Sequence, residues 1–168
     1  MGFLRQDDVP SRRCQIREKL ASIGDDSWIE DDQGDRVYKV DGKAMRVRDT
    51  FILKDRDGNE VAKIQERKLS VRDTMKVERE GRTLATVHKA LVGIRDRFDI
   101  DIEDGEDLKA KGNVFDHEYE IKRDGDVIAT VSKKWLCVRE TYGVEIREGE
   151  DEPLLLALTV AIDEMRRH

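Results

Sequence analysis

Aromatic side chains are scarce in this chain, 5% of its 168 residues, and no apolar run reaches the ~20 residues that a membrane span needs. A basic excess is also missing. The 38 acidic side chains outnumber the 32 lysines and arginines for a net charge of -6, which argues against a general nucleic-acid binder. Cysteine is limited to Cys14 and Cys137, far apart and each in a strand-like setting, so buried reduced thiols are favoured over a disulfide. The N-terminal MGFLRQDDVPSRR offers no apolar stretch for a signal peptide, and Gln6 stands where a myristoylation signal needs Ser or Thr. A soluble cytoplasmic protein is expected.

The usual signatures of catalysis are absent too. There is no Gly-x-Ser-x-Gly elbow, phosphate-binding Gly-Lys-Ser/Thr loop or dinucleotide fingerprint. His88, His117 and His168 are scattered, with no second His or Cys at metal spacing. His117 lies between Asp116 and Glu118, where a turn-entry histidine held by its neighbours is favoured over an acid-base pair. Asp55-Arg-Asp57-Gly58-Asn59-Glu60 looks like a calcium loop. Aligned on Gly58, however, its first and twelfth ligands would be Leu53 and Ile64, which cannot coordinate. The segment is a turn. No catalytic residue, metal or cofactor is expected.

What the chain does have is a repeat. VYKVDGKAMRVRDTFILKD from Val37, VAKIQERKLSVRDTMKVER from Val61, LATVHKALVGIRDRFDIDI from Leu84 and IATVSKKWLCVRETYGVEI from Ile128 share one pattern. Each opens with apolar-x-x-Val/Ile, passes a basic middle and an Arg-acid step, and ends in alternation. The steps fall at Arg48-Asp49, Arg72-Asp73, Arg95-Asp96 and Arg139-Glu140, and a weaker copy starts at Cys14. A catalytic pair is needed once, so four recurrences read as structure. Leucine-rich repeats have a similar period, but their Leu-x-x-Leu-x-Leu signature is missing.

The local period is two, which means strands. Twelve are expected, at 13–19, 27–32, 36–42, 50–55, 60–67, 74–79, 83–89, 97–103, 107–112, 118–123, 126–133 and 142–147. Asp-Gly-Asn at 57–59, Glu-Gly-Arg at 80–82 and Asp-Gly-Asp at 124–126 supply the positive φ angles of tight hairpins. The character then changes. Pro153 to Ile162 is apolar on every side, as in a buried helix, with Pro153 at its first position and acids at the positive end of its dipole. A barrel of about twelve strands is too wide for its own side chains to fill, and a helix of roughly 18–20 Å matches a six-residue strand in length. The fold class is therefore mainly β: a closed antiparallel barrel of about twelve strands enclosing a C-terminal apolar α-helix. Residues 1–12 read as a tail and 13–168 as a single domain. Ala62, Ala85 and Ala129, each two residues before an aliphatic, read as clearance for the helix.

The Ser-Lys-Lys-Trp, Arg-Glu-Thr-Tyr-Gly-Val and Asp-His-Glu-Tyr strings, with the repeated hairpins and the terminal helix, resemble the LURP-one-related family from Cys14 to Ile162. The resemblance implies a closed twelve-stranded barrel around a central helix, similar to the tubby C-terminal domain and phospholipid scramblases, and no enzymatic activity. Ser27 stands where an aromatic is common in the family.

Lys133 and Lys134, with Trp135 and Arg139 near, form the best binding candidate, since a basic patch beside an aromatic can hold a phosphate or lipid headgroup. Consecutive strand residues face opposite sides, so the two lysines can share a ligand only across a bulge. A monomer is expected, with a protein partner as its target or, as the alternative, an anionic lipid headgroup or a hydrophobic ligand.

Overall fold

The computed structural model describes residues 10–17, 27–42, 50–66, 74–90, 97–134 and 141–166. The twelve strands are β1 Ser11–Arg17, β2 Ser27–Asp31, β3 Arg36–Asp41, β4 Thr50–Asp55, β5 Glu60–Glu66 and β6 Thr74–Arg79, then β7 Arg82–Lys89, β8 Arg97–Ile102, β9 Leu108–Asn113, β10 Glu118–Arg123, β11 Asp126–Ser132 and β12 Thr141–Arg147. The helix α1 follows at Glu152–Arg166. Each strand pairs antiparallel with its sequence neighbours, and β1 pairs with β12, from Ser11↔Arg147 to Arg17↔Thr141, which closes the barrel. Closure leaves no sheet edge to template aggregation. The expected strands are all present, with ends displaced by at most two residues.

Turn chemistry explains one mouth of the barrel. Asp31 and Asp55 each use one carboxylate oxygen to accept amides two and four residues on, Gln33 and Asp35 in one case and Asp57 and Asn59 in the other, at 2.9–3.0 Å. Gly34 (φ 82°) and Gly58 (φ 86°) supply the left-handed residue each turn needs. The calcium-like segment is thus the turn expected.

The hairpins also share a feature that the sequence did not disclose. A register shift falls after Ile29, Leu53, Val77 and Ile121, near the turn of the β2–β3, β4–β5, β6–β7 and β10–β11 hairpins. A bulge sharpens the local twist, and repetition around the wall gives the curvature that closure needs. Each bulge falls in the hairpin that leads into a repeat unit, the units themselves spanning β3–β4, β5–β6, β7–β8 and β11–β12. The Arg-acid steps of the repeat, with Trp135, Cys137 and Arg139, lie outside the described residues.

Alternation puts Phe51, Leu53, Ile64, Val77, Ile100 and Tyr142 inside, and Leu155 to Ile162 of α1 are buried all round. Burying one such side chain stabilises the fold by about 1.5–3 kcal/mol. Asp151 caps the helix, accepting the Leu154 amide at 3.1 Å, so α1 starts one residue earlier than expected and Pro153 is its second residue. That position is still in the first turn, where no amide donor is required. The helix packs closest on β5, β6 and β7, and Ala62 on β5 and Ala85 on β7 are fully buried. Ala129 is also buried, on β11. The helix is off centre. Space remains between its first turn and strands β8 to β11.

Candidate functional site

The mouth of the barrel that receives the end of α1 gathers the most chemistry. The β9–β10 turn is built by Asn113, whose side-chain amide donates to Asp116 at 2.6 Å and whose carbonyl oxygen accepts the Asp116 backbone N–H at 3.1 Å. Gly112 precedes it at φ 141°, where an added Cβ would stand 2.6 Å from the Glu118 carbonyl oxygen. Only glycine lets β9 and β10 approach so closely there. The turn ends at His117, itself in the left-handed region at φ 53° and 1% exposed.

His117 stacks on Tyr142 with ring centroids 4.1 Å apart, and its Nε2 lies 2.8 Å from Oδ1 of Asp163. A carboxylate only accepts, so this nitrogen carries the proton. The same oxygen accepts Nε of Arg166 at 2.6 Å, and the guanidinium donates onward to the Phe115 carbonyl at 3.2 Å. An acid near a helix C-terminus opposes the helix dipole. Here two donors compensate for it. Tyr119, buried beside them and hydrogen-bonded to Thr159, has its hydroxyl pKa driven far up by burial and then by the Asp163 charge.

His117, Asp163 and Tyr119 are each at most 4% exposed, so the cluster meets no substrate as it stands. What it does is tie the β9–β10 turn to the helix tail. His117 is a turn residue as expected, but Asp163 holds it rather than Asp116 or Glu118. Among the described residues no three His, Cys, Asp or Glu side chains group as metal ligands.

Lys133 and Lys134 are at the same mouth, and both are exposed. The strand ends at Ser132, so alternation no longer separates them. Their backbones are fixed: Ser132 Oγ donates to Glu118 at 2.7 Å, the Lys133 amide donates to Glu118 at 3.1 Å, and the Lys134 amide to Ser132 Oγ at 3.1 Å. Arg139, the third predicted residue, lies outside the described residues. Two residues escaped prediction. Phe115 is 69% exposed, the one large apolar side chain so exposed among the described residues, and Arg166 stands over its ring at 5.7 Å. The sequence shows an apolar residue among polar ones at Phe115, but not the direction in which it points.

The opposite mouth holds a cavity of about 250 Å³ lined by Ile102, Leu108, Ile128, Leu154 and Leu155. It is the space that the off-centre helix leaves. Two paired clamps frame it, Arg79 on Asp151 at 2.9 Å and Arg123 on Glu150 at 2.8 Å. Burial alone would raise the Asp151 carboxyl, but the bonds from Arg79 and the Leu154 amide hold it below the ordinary range. Nearby, the Cys14 thiol is pushed up to about 12, by burial and then by the Glu152 carboxylate, and so stays protonated. No described helix is long and apolar enough to cross a membrane.

A family model described as LURP-one-related matches residues 12–163. A solved structure of a protein from Arabidopsis thaliana is similar in fold, with a TM-score of 0.70, 17% identity and 98% of each chain covered. No curated protein matches the sequence.

Proposed function

This chain belongs to the LURP-one-related family, and we propose that it is a non-catalytic interaction module, a rigid barrel that presents the helix-tail mouth to a protein partner. The observation that carries this reading is Phe115, 69% exposed beside Arg166 and at the same mouth as Lys133 and Lys134. An exposed aromatic with a cation at hand has the chemistry of an interface anchor. The histidine-carboxylate-tyrosine cluster beneath is covered and serves to hold that surface in shape. A cytoplasmic setting suits Cys14, a free buried thiol.

The test places a photo-cross-linking amino acid at position 115 of the full chain, and a control at Lys109 on the outer wall. A discrete protein adduct at 115 that is absent at 109 is expected. The same products at both positions, or none at 115, would overturn the reading.

A second reading, similar to tubby and scramblase barrels, is weak binding of an anionic phospholipid headgroup. It is favoured by the adjacent exposure of Lys133 and Lys134 and opposed by the net charge of -6.

A further inference from the structure

The two mouths of the barrel are complementary. At the helix-tail mouth Phe115 projects, with Arg166 over its ring and bonded to its carbonyl, and Lys133 and Lys134 are exposed nearby. At the turn mouth the apolar recess of about 250 Å³ opens beside α1. A cavity of roughly 150 Å³ lined by Leu, Ile and Phe holds benzene, so the recess has room for a phenyl ring.

The charges match as well. The β8–β9 turn at the recess carries Glu103, Asp104, Glu106 and Asp107, all exposed. The deeper acids of the rim, Glu150 and Asp151, are already clamped by Arg123 and Arg79. Surplus negative charge therefore lies on the β8–β9 side of the opening. At the projecting aromatic's mouth the exposed cations are Lys133 and Lys134, Arg166 being already paired with Asp163. Asp116, the acid next to Phe115, is hydrogen-bonded to the neutral Asn113 and keeps its charge, so the two lysines outnumber it by one.

We propose that the occupant of the recess is a second copy of this chain: Phe115 of one molecule enters the recess of the next, with Lys133 and Lys134 facing the acidic β8–β9 turn. The two surfaces sit at opposite ends of one barrel, so the contact is heterologous and does not close at two subunits. It builds a row, or a ring if the rotation closes. The Arg166 bond to the Phe115 carbonyl holds the plug in place beforehand, which reduces the ordering cost of docking. This inference names a partner for the interaction reading above and rests on it.

Sedimentation velocity of the full chain over a concentration series is the test, with three variants. Phe115→Ser removes the plug. Leu154→Trp fills the recess, and Glu106→Lys reverses charge on the exposed turn. Circular dichroism confirms that each is folded. The unaltered chain should pass from one subunit to two or more as concentration rises, less readily in 1 M salt, where charges are screened beyond about 3 Å. Each variant alone should remain monomeric. Phe115→Ser mixed with Glu106→Lys should yield a dimer and nothing larger, because one supplies an intact recess and the other an intact plug.

A monomer at every concentration overturns the proposal, as does association that Phe115→Ser leaves unchanged or a mixture that never dimerises. If the chain stays monomeric while a foreign adduct forms at position 115, self-association alone is excluded and the interaction reading stands. If neither occurs, both fall.

Discussion

Nε2 of His117 sits 2.8 Å from Oδ1 of Asp163, and the contact joins the β9–β10 turn to the tail of α1 across 46 residues of chain. Both side chains are buried, and Arg166 shares the same oxygen. Removing His117 takes away one of that oxygen's two donors and the ring stacked on Tyr142, at a cost of about 3 kcal/mol. His117→Ala should lower the melting temperature by ~10 °C, whereas Phe115→Ser at the exposed tip should change stability by no more than about 0.5 kcal/mol. Denaturant melts of both variants check this. Equal losses would show that the two residues are not divided into lock and display.

Leu156 is fully buried in α1, with the wall of the barrel around it. A carboxylate there has no donor to meet it, at a cost of several kcal/mol. Leu156→Asp should abolish cooperative unfolding. A variant that melts like the parent would remove α1 from the barrel interior.

Gly112→Ala tests the narrow approach of β9 and β10. The added methyl would stand 2.6 Å from a backbone oxygen, at a φ of 141° that alanine rarely adopts. The expected cost is at least ~1–3 kcal/mol, measured by chemical denaturation, and the same change at the open turn of Gly81 should cost less because nothing lies within 4 Å there. Similar costs at both sites would mean that backbone conformation, not the close approach, decides the loss.

Stability should fall at both extremes of pH, for opposite reasons. Asp151 and Glu145 are held below the ordinary carboxylate range, each by arginine bonds that outweigh burial. Their contribution is present above the unfolded value near 4 and lost as pH falls through the lowered folded values. Cys14 and Tyr38 are each raised to about 12, mainly by burial and next by Glu152. Their contribution is intact below the unfolded values of 9.0 and 10.0 and declines as pH climbs toward 12. Melting temperatures across pH should show both limbs, with a shallower acid limb in Asp151→Asn. An unchanged acid limb in that variant would count against the Arg79 clamp.

Headgroup binding, if Lys133 and Lys134 with Arg139 provide it, should be weak. Each well-placed cation contributes about 1 kcal/mol, so three give roughly 3 kcal/mol, short of millimolar affinity. Sedimentation with anionic vesicles should detect binding at low salt, lose it at physiological salt where the Debye length is about 8 Å, and find less with Lys134→Glu. Tight binding indifferent to salt and to that substitution would rule out an electrostatic origin.

Strands, turns and helix were legible in the chain because the cause of each is local. Alternation fixes which face of β4 holds Phe51 and Leu53, Asp55 and Gly58 fix their turn, and a segment apolar on every side must be enclosed. The barrel followed from counting strands that had to cover such a helix. The contact between His117 and Asp163, the exposure of Phe115 and the lean of α1 toward β5–β7 could not be read this way. Each depends on how elements distant in sequence meet. Periodicity says that Ala62, Ala85 and Ala129 point inward, but which of them the helix touches is set by the packing of the whole interior at once. The recess beside Ile128 and Leu154 is the remainder of that packing, a space no single segment encodes.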